Sequence, residues 1–232
     1  MGGIHFHNMN TEKTTCQFCS TEFDYEPIVG MPFTLKPTVC DECDALRRTA
    51  EESAMMKKRM AEFDLICPPA YRESDPGHPS MPSPSKLAEI LNWKPNPIGL
   101  VIHGDTRTCK TRCSWMLVKS LVVQQGVGVH YVSSNEFAAE SASAWSSSEW
   151  MTELLSAPVL FVDDLFKHRP SERVEADLFQ LLDTRIAKQL PNIITTNFVG
   201  DKILQQLSKD RGPAIVERIR EFHKSVSLHK KP

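Results

Sequence analysis

The stretch IGLVIHGDTRTCKT, residues 98–111, holds the residues best suited to chemistry: an apolar run, Gly104, then Cys109-Lys110-Thr111 opening a helix-forming segment. It falls one residue short of the phosphate-binding loop GxxxxGK[S/T], because Cys109 stands where the last glycine belongs. In such a loop backbone N–H groups cradle phosphates, the lysine reaches the β- and γ-oxygens, and the hydroxyl ligates Mg²⁺. Gly104, Asp105, Thr106, Arg107, Thr108, Cys109, Lys110, Thr111 and Arg112 therefore form the candidate nucleotide site for ATP, with Thr111 as a Mg²⁺ ligand. A second stretch, VLFVDD, ends an apolar run in two carboxylates. Asp163 is placed to reach the same Mg²⁺, and Asp164 to orient or activate water. A third, NIITTN, carries Thr195, Thr196 and Asn197 at the end of another apolar run, where Asn197 can position the attacking water. TTN alone is also ordinary turn chemistry.

A separate constellation lies near the N-terminus. Cys16-Gln-Phe-Cys19 and Cys40-Asp-Glu-Cys43 form two CxxC pairs, which together supply four thiolates to one tetrahedral Zn²⁺. Four sulfur ligands leave no open position, so such a zinc is structural, and its binding supplies folding energy to a segment with little apolar core. The competing reading, redox-active dithiols, expects a neighbouring βαβ pattern that this region lacks. Three further cysteines remain. Cys67 and Cys113 read as small core residues. Cys109, at a helix start beside Lys110, is expected to have a lowered thiol pKa, to be the most alkylation-sensitive thiol outside the zinc set, and to be protected by ATP.

The elements that must hold these groups follow from composition. Residues 11–47 form a turn-rich zinc-binding module. A Pro- and Gly-free run rich in helix formers predicts a helix across 41–66, with a connecting helix assigned to 48–66. Residues 67–85 are Pro- and Ser-rich and read as a linker, or as an arm lying on the next domain. In the domain assigned to 86–232, IGLVIH, GVHYVS, APVLFVDD, NIITTN and KSVSL read as buried strands alternating with helical stretches, the last helix running through VGDKILQQLSKDRGPAIVERIREF. That alternation predicts an α/β fold: a parallel five-stranded sheet flanked by helices, plus the small N-terminal module and its connecting helix. SASAWSSSEW reads as a loop or a marginal helix.

Charge narrows the partners. With 27 Lys and Arg against 29 Asp and Glu, formal net charge −2, no global field draws the chain to nucleic acid or anionic lipid. No run approaches the ~20 apolar residues of a membrane span, and MGGIHFHNMN lacks the basic and apolar regions of a signal peptide. A cytoplasmic protein with thiols or metal-bound cysteines is expected. His5 and His7 read as tail residues, Lys57, Lys58 and Arg59 as a solvated helix face, and Lys224, His229, Lys230 and Lys231 as a basic tail. Phe137, Trp145 and Trp150 read as core or interface aromatics in preference to base-stacking ones.

Taken together, GDTRTCKT, VLFVDDLF, ITTN and the late segment GPAIVERIREF resemble the AAA+ ATPases, and within them the DnaC/IstB type, over roughly residues 68–228. The resemblance implies a P-loop AAA+ core that binds ATP between subunits, with self-association through that interface. It further implies a catalytic set of Asp164, Asn197 and Arg218, the arginine acting on the neighbouring subunit's ATP, with Arg220 as second choice for that role. Arg185 in LLDTRIA is a further candidate interface residue. The expected function is a helicase loader in DNA replication, binding and slowly hydrolysing ATP, with a replicative helicase and single-stranded DNA as partners and no membrane. The alternatives are a transposition-helper ATPase and a non-hydrolysing P-loop adaptor disabled at Cys109. Two departures bear on turnover. Arg107 and Cys109 occupy glycine positions of the usual GxxGxGKT, and no lid helix with a further arginine follows KSVSL.

Overall fold

A computed structural model of the chain describes residues 11–27, 36–143, 148–198 and 200–229; His5, His7, Trp145, Lys230 and Lys231 lie outside the described residues. The chain divides into two compact units, Met1–Lys57 and Lys58–Pro232.

In the first unit, strands β1 (Glu12–Thr15) and β2 (Glu22–Tyr25) pair antiparallel, and the turn between them carries Cys16 and Cys19. The Tyr25 hydroxyl donates to Glu12 at 2.6 Å across the ribbon. Helix α1 (Asp41–Ile66) begins directly after Cys40. The helix thus starts inside the segment assigned to the cysteine module, and Cys43 lies on its first turn. Its uninterrupted run of helix formers explains the length, and the division between the units falls within it.

The second unit opens with the last turns of α1, where Phe63 is fully buried against Trp115 with ring centroids 6.1 Å apart. Arg59, expected on a solvated face, instead donates to the Val123 carbonyl at 3.4 Å. There follow α2 (Pro69–Arg72), α3 (Pro84–Leu91), β3 (Gly99–Gly104), and α4 (Lys110–Lys119), which runs on as a π-helical turn over Ser120–Gln124. Then come β4 (Val129–Ser133), α5 (Ser134–Ala142), α6 (Ser148–Ser156), β5 (Val159–Leu165), α7 (Glu172–Ala187), β6 (Asn192–Thr196), α8 (Asp201–Leu204), α9 (Gly212–Phe222) and β7 (His223–Leu228). The strands form one parallel sheet in the order β4-β5-β6-β3-β7, the architecture the alternating pattern predicts. Two details differ. The Ser133–Glu136 capping box nucleates α5, a helix the composition did not single out. The long C-terminal helix is in fact two, because the chain turns before Gly212-Pro213, and Pro is favoured at a helix start.

The sheet is buried on both faces. One core gathers Leu100, Ile102, Phe161, Ile193 and Val226 with Phe63, Trp93 and Trp115, the other Val101, Leu160, Val162 and Ile194 with Leu178, Leu181 and Ile215. Residues 67–85 are no free tether. Cys67 and Met81 are buried in the first core, Met81 meeting Cys113 at 3.7 Å between sulfurs. Phe137 packs on Trp150, ring centroids 5.5 Å apart.

Arg185, a candidate interface residue from its place on a helix, is completely buried. Its guanidinium donates to the carbonyls of Leu154 (2.7 Å), Ala157 (2.9 Å) and Pro191 (2.8 Å) and to Asn192 Oδ1 (2.6 Å). Burial lowers its pKa to about 10, so it remains charged at neutral pH. It therefore ties the end of α6 to the start of β6 and is not available to a neighbouring subunit. Arg185→Met, which keeps the stem but strands four acceptors, is expected to lower unfolding free energy by roughly 3 kcal/mol or more in urea titrations. An unchanged midpoint would refute the assignment.

Candidate nucleotide and metal sites

The candidate phosphate loop hangs between the end of β3 and the start of α4. β3 lies between β6 and β7, so its C-terminal end opens a crevice at the sheet's switch point, where α/β folds place ligands. Gly104 is required there. Its φ is +139°, and a Cβ would collide with the Leu228 carbonyl. The Asp105 N–H donates to that same carbonyl at 3.2 Å. Thr108 closes the loop from within by donating to the Asp105 carbonyl at 2.8 Å. The Lys110 ammonium is buried and donates to the carbonyls of Gly104 (3.0 Å) and Asp105 (2.7 Å). Burial lowers its pKa, and Asp164, Asp105 and Asp163 oppose that shift.

Arg107 (φ +65°) and Cys109 (φ +59°) both adopt the left-handed conformation, which costs a non-glycine residue roughly 1–2 kcal/mol. The loop thus keeps the shape that glycines would give it, at the expense of strain. The Cys109 side chain packs on the core and lies 3.7 Å from His78 Nδ1. Its expected low pKa is not found. Burial pushes the thiol above its ordinary value, and Arg112 and Lys110 offset this only in part.

Opposite the loop stand the two acids. Asp163, 8% exposed, accepts from Thr111 Oγ1 at 2.9 Å and from Thr195 Oγ1 at 2.5 Å. Burial raises its pKa, and the two hydroxyls counter this. Asp164 (φ +57°) donates its N–H to Thr195 Oγ1 at 2.8 Å and pairs with Lys167 at 3.5 Å. The register of β5 against β6 shifts between Val162 and Leu165, and the Thr196 hydroxyl fills part of that gap by donating to the Leu165 carbonyl. Thr195 and Thr196 thus shape the strand end that presents the acids.

Thr106–Arg112, Asp164 and Asn197 border one open cleft of about 540 Å³; Gly104, Asp105 and Asp163 are not among the residues that line it. The sequence did not point to Tyr71, His78, Ser80 and Lys167, which border it too. The first three lie on the Pro-rich arm, where only docking against the loop gives them a place. A second cleft of about 580 Å³ shares Arg107 and Thr108 and reaches the arm and Ser227–His229. Arg218 lies elsewhere, on α9. It donates to Asp183 of α7 at 2.9 and 2.6 Å and stacks 4.4 Å above the Phe179 ring. Arg220 borders a separate cavity with His103 and His223.

In the first unit, the sulfurs of Cys16, Cys19, Cys40 and Cys43 all lie within 4.8 Å of one another, with Cys19 and Cys40 3.7 Å apart. A Zn–S length of about 2.3 Å in a tetrahedron implies sulfur separations of about 3.8 Å, so the set fits Zn²⁺. Backbone N–H donation, foremost from Cys40, lowers the Cys16 pKa to about 6, and the Thr21 hydroxyl lowers that of Cys19. Hydrogen bonding with the neighbouring thiols pushes Cys43 up to about 12.

No protein-family model matches the chain, and no curated protein sequence does. Solved structures do. The replication initiator DnaA bound to AMPPCP and single-stranded DNA is 20% identical, with a TM-score of 0.52 over 63% of this chain and 45% of that one. The DnaC helicase loader is 20% identical, TM-score 0.50, covering 62% and 86%. A candidate primosome component from Streptococcus pyogenes serotype M3 is 21% identical, TM-score 0.56, covering 77% and 96%. The chain spans less than half the length of the two AMPPCP-bound DnaA structures it matches. At these identities the likeness shows the fold alone, the parallel sheet flanked by helices described above. Among the described residues no helix is long and apolar enough to cross a membrane.

Two outcomes follow from this geometry. Because the fold raises the Asp163 pKa, the native state holds that proton more tightly than the unfolded chain, so this group's contribution to stability falls as pH rises through the carboxylate range. Asp163→Asn keeps the acceptor for both threonines and should raise the melting temperature at pH 7, by roughly 2–4 °C for each kcal/mol gained. It should also remove the advantage that wild type gains at acid pH. Metal analysis should find one zinc per chain, lost in Cys16→Ser and in Cys40→Ser.

Proposed function

We propose that this chain is an AAA+ ATPase that binds ATP with Mg²⁺, hydrolyses it slowly, and serves DNA replication as a helicase loader. One observation carries the nucleotide reading: Thr111 Oγ1 and Asp163 meet at 2.9 Å beside a cleft that Lys110, Asp164 and Asn197 share. Lys110 exchanges the carbonyls of Gly104 and Asp105 for phosphate oxygens, a substitution of weak acceptors by charged ones. Bound Mg²⁺ supplies charge neutralisation on the β- and γ-phosphates, with the Thr111 hydroxyl and Asp163 carboxylate as its protein ligands. Asp164 and Asn197 hold the attacking water, and Arg218 completes the site of a neighbouring copy after leaving Asp183. Strain at Arg107 and Cys109 supports slow turnover.

In this reading the protein is cytoplasmic, self-associates through the ATP interface and engages single-stranded DNA. The structural zinc and α1 form the docking element for the replicative helicase. Their support is the likeness to the DnaC helicase loader and to DnaA carrying single-stranded DNA. A second reading, a nucleotide-free adaptor, draws on the left-handed Cys109.

Titration calorimetry of the zinc-loaded protein separates the two. Mg²⁺-dependent ATP binding in the micromolar range is expected, weakened by about two decades, or roughly 3 kcal/mol, in Lys110→Ala. Cys109→Gly should tighten it modestly by removing strain. Absent binding in wild type, restored in Cys109→Gly, would establish the adaptor.

A further inference from the structure

Four cations border the nucleotide cleft: Arg107, Lys110, Arg112 and Lys167. The first three come from the phosphate loop and the first turn of α4, and Arg112 is drawn over the Tyr71 ring at 5.8 Å. Lys167 alone stands on the opposite wall, in the turn after β5, three residues beyond Asp164. Its backbone is fixed. The Lys167 N–H donates to the Asp164 carbonyl at 3.0 Å, and Phe166 before it is buried with φ +66°. Its side chain is free to turn, being half exposed, and its ammonium lies 3.5 Å from Asp164 Oδ2.

An ion pair this exposed is weak and readily exchanged. A γ-phosphate seated between Lys110 and the Asp164–Asn197 wall would present more negative charge than one carboxylate, with three oxygens in place of two. The ammonium gains by moving to it, and Asp164 is then left with an unshared oxygen facing the cleft. A nucleoside diphosphate puts no such group there, and the pair persists.

We propose that Lys167 is a γ-phosphate contact supplied in cis. It pairs with Asp164, turns to the terminal phosphate when a nucleoside triphosphate binds, and thereby frees the carboxylate that orients water. This rests on the nucleotide reading of the cleft. It makes Lys167 a residue that distinguishes triphosphate from diphosphate beside Lys110, while Arg218, the candidate supplied by a neighbouring copy, is held on α9 by Asp183.

The test is calorimetric titration of the full zinc-loaded chain with ATP, AMPPCP and ADP in Mg²⁺, for wild type, Lys167→Ala, Lys167→Gln and Lys167→Arg. Lys167→Ala and Lys167→Gln should each weaken ATP and AMPPCP about tenfold and leave ADP within twofold, while Lys167→Arg restores the preference. Single-turnover hydrolysis should fall in the first two and recover in the third. Equal losses for ATP and ADP, or no loss for either, would overturn the assignment of Lys167 while leaving the nucleotide site standing. Failure of wild type to bind any of the three would overturn the nucleotide reading itself, and this proposal with it.

Discussion

A carboxylate almost sealed from water holds the edge of this sheet together. Asp163 accepts hydrogen bonds from Thr111 on α4 and Thr195 on β6, and the Thr195 oxygen in turn takes the N–H of Asp164. Helix, strand end and neighbouring strand are thereby locked in one register. Burying a charge is unfavourable, which is why the fold raises this group's pKa. The two neutral hydroxyls moderate that penalty only in part.

The strained loop obeys the same logic. Left-handed backbone at Arg107 and Cys109 is unfavourable and persists because Gly104, the Leu228 carbonyl and the Lys110 hydrogen bonds over-determine the path. Cys109 recovers part of that cost through packing beneath the arm that carries His78 and Met81. The arm and the phosphate loop are therefore one mechanical unit, so a change in loop conformation must be felt along residues 67–85.

The loop after β3 and the acid-ended strand β5 were legible in the sequence as elements, because each is a local pattern of residue types. The apolar runs around Val101, Phe161 and Ile194 determine a buried parallel sheet by the same directness. What stayed hidden depends on partners distant in the chain. Nothing in LLDTRIA says that Arg185 turns inward, because the four acceptors that make burial tolerable come from α6 and the start of β6. The sign of φ at Cys109 could not be read, so neither could the desolvation that outweighs Lys110 at its thiol. Lys167 looks like any solvated turn residue until β5 and the loop are set face to face.

The position of β3 carries a further consequence for how the molecule comes into being. This strand leads into the phosphate loop, yet both its neighbours in the sheet, β6 and β7, lie far later in the chain. During synthesis the loop emerges early and finds no strand to pair with until residues beyond 190 follow. The Leu228 carbonyl that meets Gly104 comes later still. Contacts this distant in sequence are slow to close. The segment encoded first in the sheet is thus the last to be completed, gaining its first partner with β6 and its second with β7. Until β6 is made, residues 99–104 have neither of the strands that flank them in the finished sheet.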